Sequence, residues 1–449
     1  LNHLKTNFLL ISVDALKPEF ITDPQKFGVI LPNISEFFIN NGVFASKGVK
    51  SVFPSFTYTC HQTIITGTYP DTHGIYNNIM FDPDGSHKGA WHWFVSDNVP
   101  TLWKLAKEHG YCSASVAFPT SVGAQGDYIV PEFWWDGSPL DTKFIDAVSV
   151  PQGLASEMEK EIGRFPGGLD LTVDGDRRRK EAAVWLLRNK IKTHDNVRPF
   201  FMSTYFASFD ETAHINGVYS PEALRALEQI DQMVGDLINT AYEISERDLV
   251  ICMVSDHGSL DNHHCIRPNV KLKEAGLISV DEQNHMISWR AWSQRAGGTC
   301  EIRLKDSKDF ESRDKLSLLM DQLRTEGDNG ILEVLTGDQA RLNRKGFSEA
   351  DYVLVAQKGY EIRDDICGDY MTNELIQKAQ HGYSEEFDEM RASFCMMGPR
   401  IPKGMDLGSC NLVDVAPTLA ALMGIPIPTA QGENLCERFP TEDLQMNKK

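Results

Sequence analysis

The run Ile251-Cys252-Met253-Val254-Ser255-Asp256-His257-Gly258 constrains this chain more than any other. Its unbroken apolar stretch predicts a strand buried on both faces, the pattern of a central strand in a parallel sheet. The strand then ends in a carboxylate and an imidazole ahead of a glycine. Placing such side chains at the mouth of a buried strand costs free energy unless something pairs with them, and a divalent cation is a sufficient partner.

Comparable apolar runs occur at residues 8–13, 111–118, 200–205 and 392–397, beside the one at 249–255. Amphipathic stretches fall between them, which predicts an α/β fold with a mostly parallel sheet and helices on both faces. Open sheets of this kind carry their sites at the carboxyl ends of strands, where several of these runs meet polar residues. Helices are expected at 100–109, closed by Gly110, and at 222–242, behind Ser220 as N-cap and Pro221 in the first turn. A third, at 178–192, places Ala182, Ala183, Leu186, Leu187 and Ile191 on one side. All three are read as packing elements without chemistry. Residues 259–380, with a charge-rich middle at 305–328 and a strand-like 352–355, break the alternation. They are expected to form an inserted subdomain shaping the substrate pocket, with residues 1–258 and 381–449 as the core.

The formal charge of −19 argues against binding to nucleic acid duplexes, which needs clustered Lys and Arg, but is compatible with a nucleotide held by metal. No run approaches the roughly 18 to 20 apolar residues of a bilayer span, so no membrane span is expected. Nine cysteines are spread from Cys60 to Cys436 with no CxxC pair. Cys112, Cys252 and Cys395 lie in apolar runs and read as small buried hydrophobes. A reduced cytoplasmic protein is the expectation. Residues 1–7 lead straight into a strand without the apolar region of a signal peptide, yet the first residue is not Met, so an extracytoplasmic protein with a trimmed signal peptide is the alternative.

Other strand ends repeat the pattern. The run Leu9-Leu10-Ile11-Ser12-Val13 delivers Asp14, and Thr204-Tyr205-Phe206 leads to Asp210 and, four residues on, His214. In a helical turn those two share a face and can grip one ion. His381-Gly382-Tyr383 lies just upstream of the 392–397 run. Three carboxylates and three imidazoles form an inventory suited to two zinc ions, although ligand type alone leaves manganese or iron open. Thr57 lies in Phe53-Pro54-Ser55-Phe56-Thr57-Tyr58-Thr59-Cys60-His61. A hydroxyl becomes a competent nucleophile at neutral pH when a metal lowers its pKa, and a helix N-terminus there would offer N–H groups to a phosphoryl oxygen.

These residues, with Thr66-Gly67-Thr68-Tyr69-Pro70-Asp71-Thr72-His73-Gly74-Ile75 and Asn78, stand in the order found in the nucleotide pyrophosphatase/phosphodiesterases. The chain resembles that branch of the alkaline phosphatase superfamily from about Asn7 to Pro426. The resemblance implies an alkaline-phosphatase-like core and metal-dependent hydrolysis of phosphodiester or pyrophosphate bonds, of a nucleotide or similar small molecule, through a phosphothreonine. It implies one zinc on Asp210, His214 and His381, and another on Asp14, Thr57, Asp256 and His257. Asn78 and backbone near Thr57 would donate to a phosphoryl oxygen, and Tyr58 and Tyr205 would line the pocket. His61 and His73 read as structural, and His263 and His264 as a solvated loop.

The alternatives are a phosphomonoesterase, a phosphonate hydrolase or a non-catalytic binding homologue. A monoester's extra charge calls for Arg or Lys near the nucleophile, and residues 51–83 contain none, which favours diesters. Ala213 in place of the family's Gly, Thr59-Cys60 in place of Pro-Asn, and Ala15-Leu16-Lys17-Pro18 after Asp14 mark a divergent branch. Its substrate need not be a nucleotide.

Overall fold

The computed structural model describes residues 6–440 apart from 88–89, 136, 139–140, 165–169 and 192–197. An eight-stranded sheet forms its centre, in the order Met405–Asp406, Gly42–Phe44, Phe394–Met397, Leu249–Val254, Asn7–Val13, Phe200–Phe206, Cys112–Val116, Tyr128–Val130. Strands Asn7–Val13, Phe200–Phe206 and Leu249–Val254 pair in parallel at its middle. Phe394–Met397 runs antiparallel to both of its neighbours, an orientation that an apolar run alone does not encode.

Alternation along these strands explains their uniform hydrophobicity. Leu9, Ile11 and Val13 face one buried cluster with Ile251 and Met253, while Phe8 and Leu10 face another with Val250, Cys252 and Val254. Both faces being covered, neither can be polar. Helix Pro221–Ile244 begins at Ser220, whose side chain accepts from Ala223 N–H, and lies in the first cluster. Helix Leu102–Glu108, capped by Thr101, lies in the second.

The helix expected at 178–192 starts earlier, at Val173, and from Leu187 to Ile191 continues as a π-helix. The strand expected at 111–118 is Cys112–Val116, and Ala117 with φ 52° ends its extended run. All nine cysteines are free, and Cys112, Cys252 and Cys395 are buried. Among the described residues no helix is long and apolar enough to cross a membrane.

Between the Asp-His-Gly turn and His381 lies a second, four-stranded antiparallel sheet, ordered Ala291–Ala296, Thr299–Leu304, Tyr352–Ala356, Ile331–Thr336. The charge-rich stretch is largely the helix Phe310–Thr325, whose Leu316, Leu319, Met320 and Leu323 are buried in a separate hydrophobic cluster. Its charges cover the solvent face of an amphipathic helix.

Candidate active site

Three strand ends of the central sheet supply the floor of a cleft. Asp14 follows Val13, Asp256 and His257 follow the Leu249–Val254 strand, and Asp210 and His214 lie on the helix Ser208–Asn216 after Phe200–Phe206. A Cβ at Gly258 would stand 2.1 Å from the Glu389 carbonyl oxygen, so only glycine lets the turn after His257 close against that loop. Gly382, at φ 75°, likewise brings the His381 loop to the Ala296 carbonyl. Ala15 sits at φ 56°, a strained conformation for a residue with a Cβ, and its N–H donates to Asp256 Oδ1 at 3.1 Å.

The side chains converge. Asp14, Asp256 and His257 bring ligand atoms within 4.8 Å of one another, and so do Asp210, His257 and His381. His257 belongs to both groups, and its ring stacks on that of His381 with centroids 3.7 Å apart. His214 Nε2 lies 3.0 Å from Asp210 Oδ2, as helical i,i+4 spacing predicts. The tight triad therefore pairs Asp210 and His381 with His257, and His214 joins through Asp210. Thr57 Oγ1 stands 3.3 Å from His257 Nε2.

Their hydrogen bonds fit a cation-binding role. Nδ1 of His214, His257 and His381 each meets a main-chain oxygen, of Ala379 at 2.7 Å, Gly258 at 3.0 Å and Ser55 at 3.3 Å. A carbonyl can only accept, so Nδ1 carries the proton and Nε2 keeps its lone pair for an ion. Asp14 Oδ1, Asp210 Oδ1 and Asp256 Oδ2 are buried without a hydrogen-bond partner. Orphaned buried carboxylate oxygens are costly, and divalent cations satisfy them.

The electrostatics agree. Burial, with Asp256 and Asp210 adding repulsion, pushes the Asp14 carboxyl well above its ordinary range. Burial works against ionisation of Asp210 too, but His214 and His381 hold it at about 2. Among protein groups alone the negative charges are unevenly compensated, a pattern that positive charge between them corrects.

Thr57 opens the helix Thr57–Thr66, all of it buried. Asn78 Oδ1 accepts from Tyr58 N–H at 2.8 Å, which turns the Asn78 amide NH2 away from that donor. This bond also occupies one of the backbone donors expected near Thr57. His61, one turn on, bonds the Thr57 carbonyl at 2.8 Å and Ser12 Oγ at 2.8 Å, and lies 3.5 Å from Asp256 Oδ2. It is fully buried and ties the first turn of the Thr57 helix to the Asn7–Val13 strand. His73 is buried against Thr63 Oγ1 at 3.0 Å. His263 and His264 are hydrogen-bonded to each other, and His264 stacks on Tyr360 while His263 meets that ring edge-on, with His264 opening a short strand rather than lying in a loop.

The cleft encloses about 340 Å³ and both predicted tyrosines line it. Tyr58 donates to Glu132 Oε2 at 2.8 Å and Tyr205 donates to Asp14 Oδ2, so each hydroxyl is committed. Trp91 and Trp134, with ring centroids 4.3 Å apart, extend the aromatic wall beside Tyr58. Sequence reasoning missed these tryptophans, Glu132 and Arg295, because they come from loops and the second sheet with no spacing signal. It also gave no role to the helix Val173–Leu186, yet Asp176 there accepts from Ala207 N–H and Ser208 N–H at 2.9 and 2.8 Å, fixing the start of the Asp210 helix.

With this geometry in place, the family model for type I phosphodiesterase/nucleotide pyrophosphatase matches residues 8–384. The chain belongs to this family. It is 27% identical over 259 residues to human ectonucleotide pyrophosphatase/phosphodiesterase family member 1, covering 56% of this chain and 23% of that protein. It is 22% identical over 424 residues to the bis(5'-adenosyl)-triphosphatase of Pongo abelii, covering 94% and 79%. The chain thus spans about a quarter of the first relatives it matches, whose lengths it covers to 23% and 24%. Murine ectonucleotide pyrophosphatase/phosphodiesterase 5, in an inactive threonine-to-alanine variant bound to AMP, superposes with a TM-score of 0.67 at 18% identity over 97% of this chain and 99% of that one. The fold is accordingly the expected alkaline-phosphatase-like α/β architecture.

Proposed function

We propose that this member of the family hydrolyses phosphodiester or pyrophosphate bonds of a nucleotide or similar small molecule, with Thr57 as nucleophile. The observation that carries the reading is the meeting of three orphaned carboxylate oxygens and three Nε2 atoms beside the Thr57 hydroxyl at a cleft floor. Asp14, Asp256 and His257 would hold one divalent cation, and Asp210, His214 and His381 the other, with His257 between them. Zinc suits this nitrogen and oxygen set. When bound, such ions lower the pKa of a hydroxyl and offset charge developing on phosphoryl oxygens.

Thr57 Oγ1, giving up its proton to solvent, then forms the new bond to phosphorus as the bond to the leaving oxygen breaks and that oxygen takes up a proton, giving a phosphothreonine. Water oxygen loses a proton and adds to phosphorus in the second half-reaction, and Thr57 Oγ1 departs and is reprotonated. Asn78, anchored through Oδ1, directs its NH2 to a non-bridging oxygen. Tyr58, Trp91 and Trp134 supply a surface for a flat or apolar substituent. Residues 259–380 serve as the insertion that completes the pocket. The relatives' names and the AMP bound to the murine protein support a nucleotide as one such substrate.

Mass spectrometry of protein quenched during turnover tests the mechanism. A phosphoryl adduct on the Thr57 peptide is expected, and turnover with no adduct there, alongside full activity of Thr57→Ala, would overturn it.

A further inference from the structure

Arg295 enters the cleft from the second sheet, at the end of the strand Ala291–Ala296. Its backbone is pinned on both sides: the N–H donates to Asp364 Oδ1 at 2.7 Å, and the carbonyl accepts from Asn77 Nδ2 at 2.7 Å. Asn77 adjoins Asn78, and three residues after Arg295 the Gly298 N–H donates to the His381 carbonyl at 3.0 Å. The launching point of this side chain is therefore fixed relative to the reaction centre.

The guanidinium itself is not consumed. Its Nη1 is 3.9 Å from Glu361 Oε1 and its Nε 3.8 Å from Asp364 Oδ2, both beyond hydrogen-bond distance, and the side chain stays 35% exposed. Among the described residues no hydrogen bond reaches it. Other arginines nearby behave differently: Arg303 Nε lies 2.6 Å from Glu301, and Arg344 Nε 2.7 Å from Glu385. Those two guanidinia are closed onto carboxylates as structural ties, whereas Arg363, 3.6 Å from Asp365 Oδ2, stands off as Arg295 does but does not line the cleft. Burial pushes the Glu361 and Asp364 carboxyls upward, Asp364 to about 6, with Arg295 opposing the shift at both.

We propose that Arg295 forms an anion subsite on the insertion side of the cleft, and that the substrate carries a second oxyanion group, phosphate or carboxylate, beyond the phosphorus attacked by Thr57. This rests on the hydrolase reading above and extends it. The fork of N–H donors matches an oxyanion bidentately. It also changes the charge argument made from residues 51–83, since the cation comes from a segment remote in sequence.

Steady-state kinetics of the wild type, Arg295→Ala and Arg295→Lys on three substrates test this. Bis(p-nitrophenyl) phosphate bears one charge; an aryl phosphodiester with a pendant carboxylate and a nucleoside triphosphate bear further ones. Arg295→Ala is expected to raise KM about tenfold on a substrate with the second oxyanion and to leave bis(p-nitrophenyl) phosphate within about twofold, with kcat nearly constant. Arg295→Lys recovers part of the loss. An effect confined to the triphosphate identifies phosphate, and one confined to the carboxylate diester identifies carboxylate. Equal effects on all three substrates, or none on any, overturn the proposal. Calorimetric binding of the triphosphate and of the carboxylate diester to Thr57→Ala protein, with and without Arg295→Ala, decides the matter without turnover: binding of either ligand weakened about tenfold by Arg295→Ala supports the subsite, and unchanged binding of both overturns it. Should the wild type turn over no substrate, the hydrolase reading fails while this binding result still stands.

Discussion

The floor and the walls of the cleft differ in how their side chains are held. On the floor, Asp14, Asp256 and His257 follow directly from strands hydrogen-bonded within the central sheet, and each imidazole is fixed by a main-chain oxygen. On the walls, Trp91 and Trp134 sit on loops, Glu132 follows the edge strand Tyr128–Val130, and Arg295 comes from the second sheet. The floor is a rigid template for one kind of chemistry, while the walls can change without disturbing it. Substitutions on the floor should therefore act on metal and turnover, and substitutions on the walls on substrate selection.

The largest effect expected is from Thr57→Ala, which should lower kcat by about three orders of magnitude or more while bound metal stays unchanged. Rates and metal content measured on one preparation check it. Asp256→Asn comes next: a neutral amide replaces a carboxylate whose Oδ2 lies 3.1 Å from His257 Nε2, and metal affinity should fall by more than about a hundredfold. Competition with a chromogenic chelator measures that loss, and activity should return only at raised metal concentration. An unchanged affinity would break the distinction between floor and walls.

Glu132 sharpens the comparison through stability. Burial raises its carboxyl to about 7, against the opposing pull of Arg179 and the bond from Tyr58. Between its unfolded value and about 7 the folded state binds the extra proton, so stability falls as pH rises through this window. The cost of ionising it, up to about 3 kcal/mol, is absent in Glu132→Gln. Relative to wild type, the variant should gain melting temperature between about pH 5 and pH 8. A difference independent of pH would contradict this. The smallest effect is expected for Trp91→Ala, which should raise KM for a substrate with an aromatic substituent by up to about tenfold, with kcat little changed. A parallel loss of kcat would show that the wall also orders the floor.

The same division governs what the sequence discloses. Asp14, Asp256 and His257 are visible because an apolar strand ending in ligand-type residues is an energetic anomaly that needs no knowledge of tertiary contacts. Asp210 and His214 are visible because helical i,i+4 spacing puts them together. Trp91, Trp134 and Arg295 have no such local signature: loops and a remote strand bring them to the cleft, and only three-dimensional packing reveals it. Asp176 was hidden for another reason: the helix expected from the apolar pattern begins at 178, and nothing local shows that an acid two residues earlier accepts from Ala207 and Ser208 N–H. The reversed direction of Phe394–Met397 is likewise invisible in an apolar run, and the amphipathic face of Phe310–Thr325 is masked by its charges.

Metal content is the measurement closest to the central claim. For protein purified without chelator, elemental analysis should give about two divalent ions per chain, in keeping with two ligand groups that meet at His257. His257→Ala should strip both, whereas His381→Ala should leave about one. Wild-type protein that takes up no divalent metal even when it is supplied, or that keeps both ions after His257→Ala, would contradict the account.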